Sequence, residues 1–240
     1  MAEFRIKLAG VSIGVDCVFD STKEYCKKYL TDEAPEFVLR ITEADRQRER
    51  ALIEYQASEN YLECLALYRA VCERLLGRGV LLLHGSAISV DGEVYIFIAP
   101  SGTGKSTHTS FWRKALSEGH EVVMVNDDKP LLRVTENGIL ACGTPWSGTY
   151  RLDTDISLPV KAICVLHRDS YNHIEPLLPQ QALPELYQRV YIPRDSEAMR
   201  QVLSMLNIIL RRADFWSLGC DMSVDAALSA YRTMKKGESQ

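Results

Sequence analysis

From residue 80 onward the chain alternates short apolar runs with glycine-marked breaks, and that rhythm predicts a sheet flanked by helices. Val80 to Leu83, Ala87 to Val90 and Val94 to Ala99 each have the length and the branched or aromatic content of a buried strand. Asp91-Gly92 sits between the second and third runs, a strong two-residue hairpin signal. Glu121 to Val125 is a further short strand. Glu136-Asn137-Gly138-Ile139 predicts a second hairpin, between 130–135 and 139–142. Val160 to His167 and Phe215 to Leu218 read as strands. Helical spacing is found at 107–116, with Phe111, Trp112, Ala115 and Leu116 on one face, and at about 180–189. It recurs at 195–212, with Ala198, Met199, Val202, Leu203, Leu206, Ile209 and Leu210 as the apolar stripe, and at 223–234.

The first 78 residues read differently. Phe4 to Leu8, Val11 to Val18 and Phe37 to Ile41 are strand candidates, and Ser21-Thr22-Lys23-Glu24 is a capping box opening a short helix through about Leu30. The charged stretch 43–55 reads as an exposed segment. From Ser58 to Leu76, the positions of Leu62, Leu65, Val71, Cys72, Leu75 and Leu76 predict a helix stopped by Gly77 to Gly79. The expected organisation is an α+β region over 1–78 and a nucleotide-binding domain over 79–240. The hairpins beside the central strand require a mixed sheet, unlike the all-parallel doubly wound fold.

Chemistry enters where the Val94 to Ala99 strand ends. Ser101-Gly102-Thr103-Gly104-Lys105-Ser106-Thr107 matches a phosphate-binding loop except that the first position of the pattern is Ala99. Glycines there let successive N–H groups turn toward phosphate oxygens at a helix N-terminus. Lys105 would meet the terminal phosphates, and the Ser106 hydroxyl would ligate Mg²⁺. An ordinary glycine-rich loop is the alternative. Asp127 and Asp128 follow the Glu121 to Val125 strand, and a parallel pairing with the 94–99 strand would bring them beside the loop. One carboxylate could hold metal while the other takes a proton from an attacking hydroxyl. An Asx turn ahead of Lys129-Pro130 is the other reading.

Composition narrows the class. The 240 residues are 46% hydrophobic and 25% charged with a net charge of −4, ordinary for a globular chain. There is no long basic run to suggest nucleic acid or an anionic membrane, and no apolar stretch near the roughly 20 residues that span a bilayer. Met-Ala-Glu-Phe-Arg is not laid out as a signal peptide. Seven cysteines scattered singly predict reduced thiols in a cytoplasmic protein, with no structural zinc site.

In order along the chain, His84-Gly85, the Asp91-Gly92 hairpin, Ser101 to Ser106, Gly119-His120 and Asp127-Asp128 resemble the kinase domain of HPr kinase/phosphorylase. The phosphate loop also resembles that of ATP-dependent phosphoenolpyruvate carboxykinase. The resemblance covers residues 80 to 130 and implies a mixed-sheet nucleotide-binding core. It implies ATP and Mg²⁺ as cofactors, Lys105 as phosphate ligand and Ser106 as magnesium ligand. Of Asp127 and Asp128, one would be the base and the other lie near metal; Asp127 is taken as base and Asp128 as the metal-side ligand. His84 would lie close to the transferring phosphate.

The glycine-rich signature E-I-R-G-L-G-I of HPr kinases is absent. Gly143 to Arg151 stands in its place, where Arg151 could stabilise transferring charge or the segment could simply link two strands. The expected activity is phosphoryl transfer to a hydroxyl of a peptide, protein or small molecule, with no nucleic acid or membrane partner and homo-oligomerisation left open. The competing expectation is a nucleotide-binding regulatory module with little turnover.

Overall fold

The computed structural model describes residues 2–237. The chain divides into two compact units, Met1–Arg78 and Gly79–Gln240. In the first, β1 (Ala2–Leu8) and β2 (Val11–Cys17) form an antiparallel pair, and β3 (Phe37–Arg40) adds parallel to β2. Helix α1 (Asp20–Tyr25) and a 3-10 turn at Lys27–Tyr29 lie between β2 and β3, and α2 (Glu43–Arg50) and α3 (Glu59–Leu76) follow. The charged stretch at 43–55 is not simply exposed. Residues 43–50 are helical, opened by a Thr42–Asp45 capping box, and Arg46 and Glu49 are buried.

Ion pairing explains that burial. Arg46 meets Glu43, Glu59 and Glu63, and Arg69 reaches Glu49. Glu63, wholly buried on α3, accepts the Val18 and Phe19 N–H groups at 2.8 and 3.0 Å and the Thr22 hydroxyl at 2.7 Å. A buried carboxylate is tolerated only with such a full set of donors.

The second unit carries β4 (Val80–Leu82), β5 (Ser86–Val90), β6 (Glu93–Ile98), α4 (Lys105–Leu116), β7 (Val122–Asn126), β8 (Leu131–Thr135), β9 (Gly138–Cys142) and β10 (Ser157–Arg168). It continues with β11 (His173–Pro176), α5 (Pro179–Tyr187), α6 (Ser196–Arg212), β12 (Asp214–Cys220) and α7 (Val224–Lys236). The sheet is mixed: β6 is parallel to β10 and β10 to β12, while β5 is antiparallel to both β6 and β7. The β5–β6 turn uses Asp91 and Gly92, both at positive φ (52° and 85°), which is why a small polar residue and glycine stand there.

One expectation about pairing is corrected. β7 does not pair with β6, because β5 runs between them in the order β6-β5-β7. Two successive antiparallel pairings still leave β6 and β7 pointing the same way, so their C-terminal ends share one end of the sheet. A second correction concerns α6, where Leu203 is 49% exposed and the buried stripe is Val202, Met205, Leu206 and Ile209. The core that fixes α4 places Trp112 and Leu116 against Tyr95, Phe97, Cys164, Leu166 and Ala230.

Candidate functional site

α4 begins at Lys105, directly after a loop in which Gly102 and Gly104 adopt positive φ (77° and 118°). No side chain caps this helix. Its first N–H groups therefore lack the usual serine or aspartate partner, an arrangement suited to an anion. The Lys105 ammonium donates to the Ala99 carbonyl at 2.9 Å and to Pro100 at 3.4 Å, so it lies across the loop. Burial lowers the Lys105 pKa, opposed by the charge of Asp128 and assisted by those of Arg189 and Lys129. Ser106 is half-buried on the first turn, while Ser101, Gly102 and Thr107 are exposed. Thr109, on the next turn, shares a hydrogen bond with Ser86 of β5 at 3.1 Å, tying the helix to the strand behind the loop.

Asp127 and Asp128 follow β7 in contrasting environments. Val125 is an extra residue in the β5–β7 pairing, since Ala87 faces Asn126 and Ile88 faces Met124. Such a bulge re-aims the side chains that follow it. Asn126 then makes the Asx turn foreseen as one reading, its side-chain oxygen accepting the N–H groups of Asp128 (2.8 Å) and Lys129 (2.6 Å). Its amide donates to the Thr144 carbonyl and hydroxyl at 2.9 and 3.0 Å. Because asparagine does the turn's work, both aspartates are left for other uses.

Asp127 is 3% exposed. Its Oδ1 accepts the Gly148 N–H at 2.5 Å, and its Oδ2 is buried with no hydrogen-bond partner. Burial pushes its pKa up, only partly offset by the N–H of Gly148. Gly148 packs closely there: a Cβ would come within 3.1 Å of Asp127 Oδ2. Asp128 behaves oppositely. Burial would raise it, but hydrogen bonds from His84 (Nε2 to Oδ1, 3.1 Å) and Lys129 outweigh that and hold it at about 2. The loss of a shared environment separates the two carboxylates into one that keeps a proton more readily and one that is firmly ionised.

His84 is brought to Asp128 by backbone. Its N–H donates to the Arg189 carbonyl at 2.6 Å, and Gly85 N–H donates to the Asp128 carbonyl at 2.9 Å. A side chain at Gly85 would stand 3.0 Å from the Phe97 carbonyl, so the close approach to β6 demands glycine. Arg151 lies on the exposed turn that starts at Gly148, with φ of 49°.

Two arginines escaped the sequence reading. Arg168, ending β10, donates to the Gly102 and Thr103 carbonyls at 3.0 Å each and so braces the glycine-rich loop from behind. Arg189 reaches the neighbourhood of Lys105 because residues 189–191 pair with the end of β4. Neither lies in a motif, and only the long-range pairing of distant segments reveals them.

No family model matches the chain, and no curated protein does. Among solved structures, the Hpr(Ser) kinase/phosphatase from Coxiella burnetii is similar over 65% of this chain and 99% of that chain, at 9% identity and a TM-score of 0.36. A likeness so distant transfers neither activity nor residue roles, and the site stands on its own geometry. Among the described residues, no helix is long and apolar enough to cross a membrane. None of the seven cysteines forms a disulfide, and all but half-buried Cys64 are buried.

Proposed function

We propose that this chain is an ATP- and Mg²⁺-dependent phosphotransferase acting on a hydroxyl, with a nucleotide-binding core of the mixed-sheet phosphate-loop type. The observation that carries the reading is the buried, unbonded Oδ2 of Asp127 beside an ionised Asp128, at the sheet end shared with Lys105. An unsatisfied buried acceptor with a raised pKa is suited to take the proton of an incoming O–H. Residues 101–107 would cradle the phosphates, with the Lys105 ammonium leaving the Ala99 and Pro100 carbonyls for the terminal ones.

Ser106 and Asp128 offer the hard oxygen ligands that Mg²⁺ takes, and the metal would supply charge neutralisation at the phosphates. His84 would position Asp128, and Arg151 would lie on the acceptor side. The acceptor oxygen gains the phosphoryl group, its proton passes to Asp127, and ADP leaves. By resemblance to HPr kinases the acceptor is a serine of a peptide or protein, with a small alcohol as the other candidate, and residues 1–78 would serve recognition; the disulfide-free, mostly buried thiols suit the cytoplasm.

Transfer of label from ATP to candidate acceptors tests this reading. Lys105→Ala should abolish transfer, and Asp127→Asn should depress turnover while sparing ATP affinity. Transfer that survives both substitutions refutes the assignment. Ala99, standing where the loop pattern has glycine, favours a second reading, nucleotide binding without turnover. Under it ATP at about 100 times Kd would stabilise the chain by roughly 2.7 kcal/mol with no ADP formed in the presence of cell extract.

A further inference from the structure

On the opposite face of the sheet from α4, three ligand-type side chains converge. His167 on β10, Asp169 just beyond it and His173 at the start of β11 present ligand atoms that all lie within 4.8 Å of one another. Alternation along β10 explains the faces. Leu166 and Cys164 pack in the core with Trp112, and Arg168 shares their parity and turns to the phosphate loop. His167 and Asp169 therefore point the other way. In the pairing of three strands, Gly219 of β12 lies directly between His167 on β10 and His173 on β11.

Glycine at 219 is what lets the two rings meet. A Cβ there would fall inside the His173 imidazole, and the ring centroids of His167 and His173 are 5.6 Å apart. We propose that His167, Asp169 and His173 bind a divalent transition-metal cation of the zinc class, separate from the Mg²⁺ position assigned above.

Several observations support three ligands held ready rather than a fortuitous surface group. His173 Nδ1 is buried with no hydrogen-bond partner, and its 3.9 Å separation from Asp169 Oδ2 is too long for a hydrogen bond. Asp169 is oriented: its Oδ1 accepts the Ser170 N–H at 2.6 Å, which leaves Oδ2 turned to the histidine. The connecting loop is anchored at Asn172, which bonds Ser223 and the Asp221 N–H at 3.2 and 3.0 Å.

Two imidazoles and one carboxylate select a borderline cation over Mg²⁺ and leave at least one position open. Ligands about 2.1 Å from one ion stand roughly 3.4 Å apart in a tetrahedron; the exposed His167 ring can turn inward to close the difference. A cation bound there would steady the strand end from which Arg168 braces the phosphate loop.

The test uses the metal-stripped full chain without nucleotide, titrated with Zn²⁺ in competition with a chromophoric chelator. One equivalent should bind. His167→Gln, at an exposed position where folding is not at stake, and Asp169→Asn should each weaken binding by at least about tenfold, with unchanged melting in the absence of metal. Co²⁺ should give visible bands without the near-ultraviolet band of a thiolate ligand, which excludes the cysteines. Lys105→Ala should bind Zn²⁺ as the unaltered chain does, so failure of the kinase reading leaves this result standing. Equal affinity in the ligand variants, a thiolate band, or no binding against the chelator overturns the proposal.

Discussion

Removing the Asp128 charge gives the sharpest check on the electrostatics of the site. In the fold its pKa lies at about 2, against an ordinary 3.8, and at 1.36 kcal/mol per pH unit the difference corresponds to about 2 kcal/mol of stability. Its side chain is 23% exposed, so solvent does not screen most of that away. Because the folded pKa is depressed, the contribution is fully present above about pH 4. It is lost as pH falls toward 2, with about half gone by pH 3. Asp128→Asn should therefore destabilise the chain by about 2 kcal/mol at pH 7 and progressively less below pH 4. Urea unfolding followed by tryptophan fluorescence reads the right unit, because Trp112, Trp146 and Trp216 all lie beyond residue 78. A destabilisation of the same size at pH 7 and pH 3 would mean lost packing, not lost ion pairing. No destabilisation at pH 7 would mean that His84 and Lys129 do not hold the carboxylate as argued.

Gly148→Ala should crowd Asp127 Oδ2 and lower phosphoryl-transfer turnover, with ATP affinity unchanged in equilibrium binding. Gly104→Ala forces a left-handed residue against Met222, 3.0 Å from its sulfur; it should cost roughly 1–2 kcal/mol and weaken ATP binding, both measurable by calorimetry. Glu63→Ala strands two part-buried N–H groups, the buried Thr22 hydroxyl and Arg46. A loss of roughly 3–5 kcal/mol should show as faster amide exchange along α3.

The strongly periodic parts of the chain could be read directly from its sequence. Tight-turn chemistry marked the β5–β6 hairpin, and apolar spacing marked α3 and α6. The turn into α4 at Lys105 was legible because the glycine-rich loop before it packs its turn geometry into a few consecutive residues. Where the reading failed, non-local terms decided. The charge-rich 43–50 stretch looks solvated until Arg46 and Glu49 find partners on α3, twenty or so residues away. β11, His173–Pro176, is too short and polar to announce itself, and exists because β12 offers it an edge. His167, Asp169 and His173 carry ligand-type side chains, but without the β10–β12–β11 register nothing shows that Gly219 clears the space between them.

The extra residue at Val125 gives the tandem aspartates an unusual kind of dependence. The two are chemically identical, so nothing in residue type tells one from the other; their difference is a matter of phase along the strand. With the bulge, one carboxylate falls into a recess beneath Gly148 and its twin between the His84 imidazole and the Lys129 ammonium. A one-residue deletion upstream would reverse the alternation without altering either aspartate. The contrast between the two carboxylates is thus written in a count of residues, and substitution within β7 is far safer for it than a change in length.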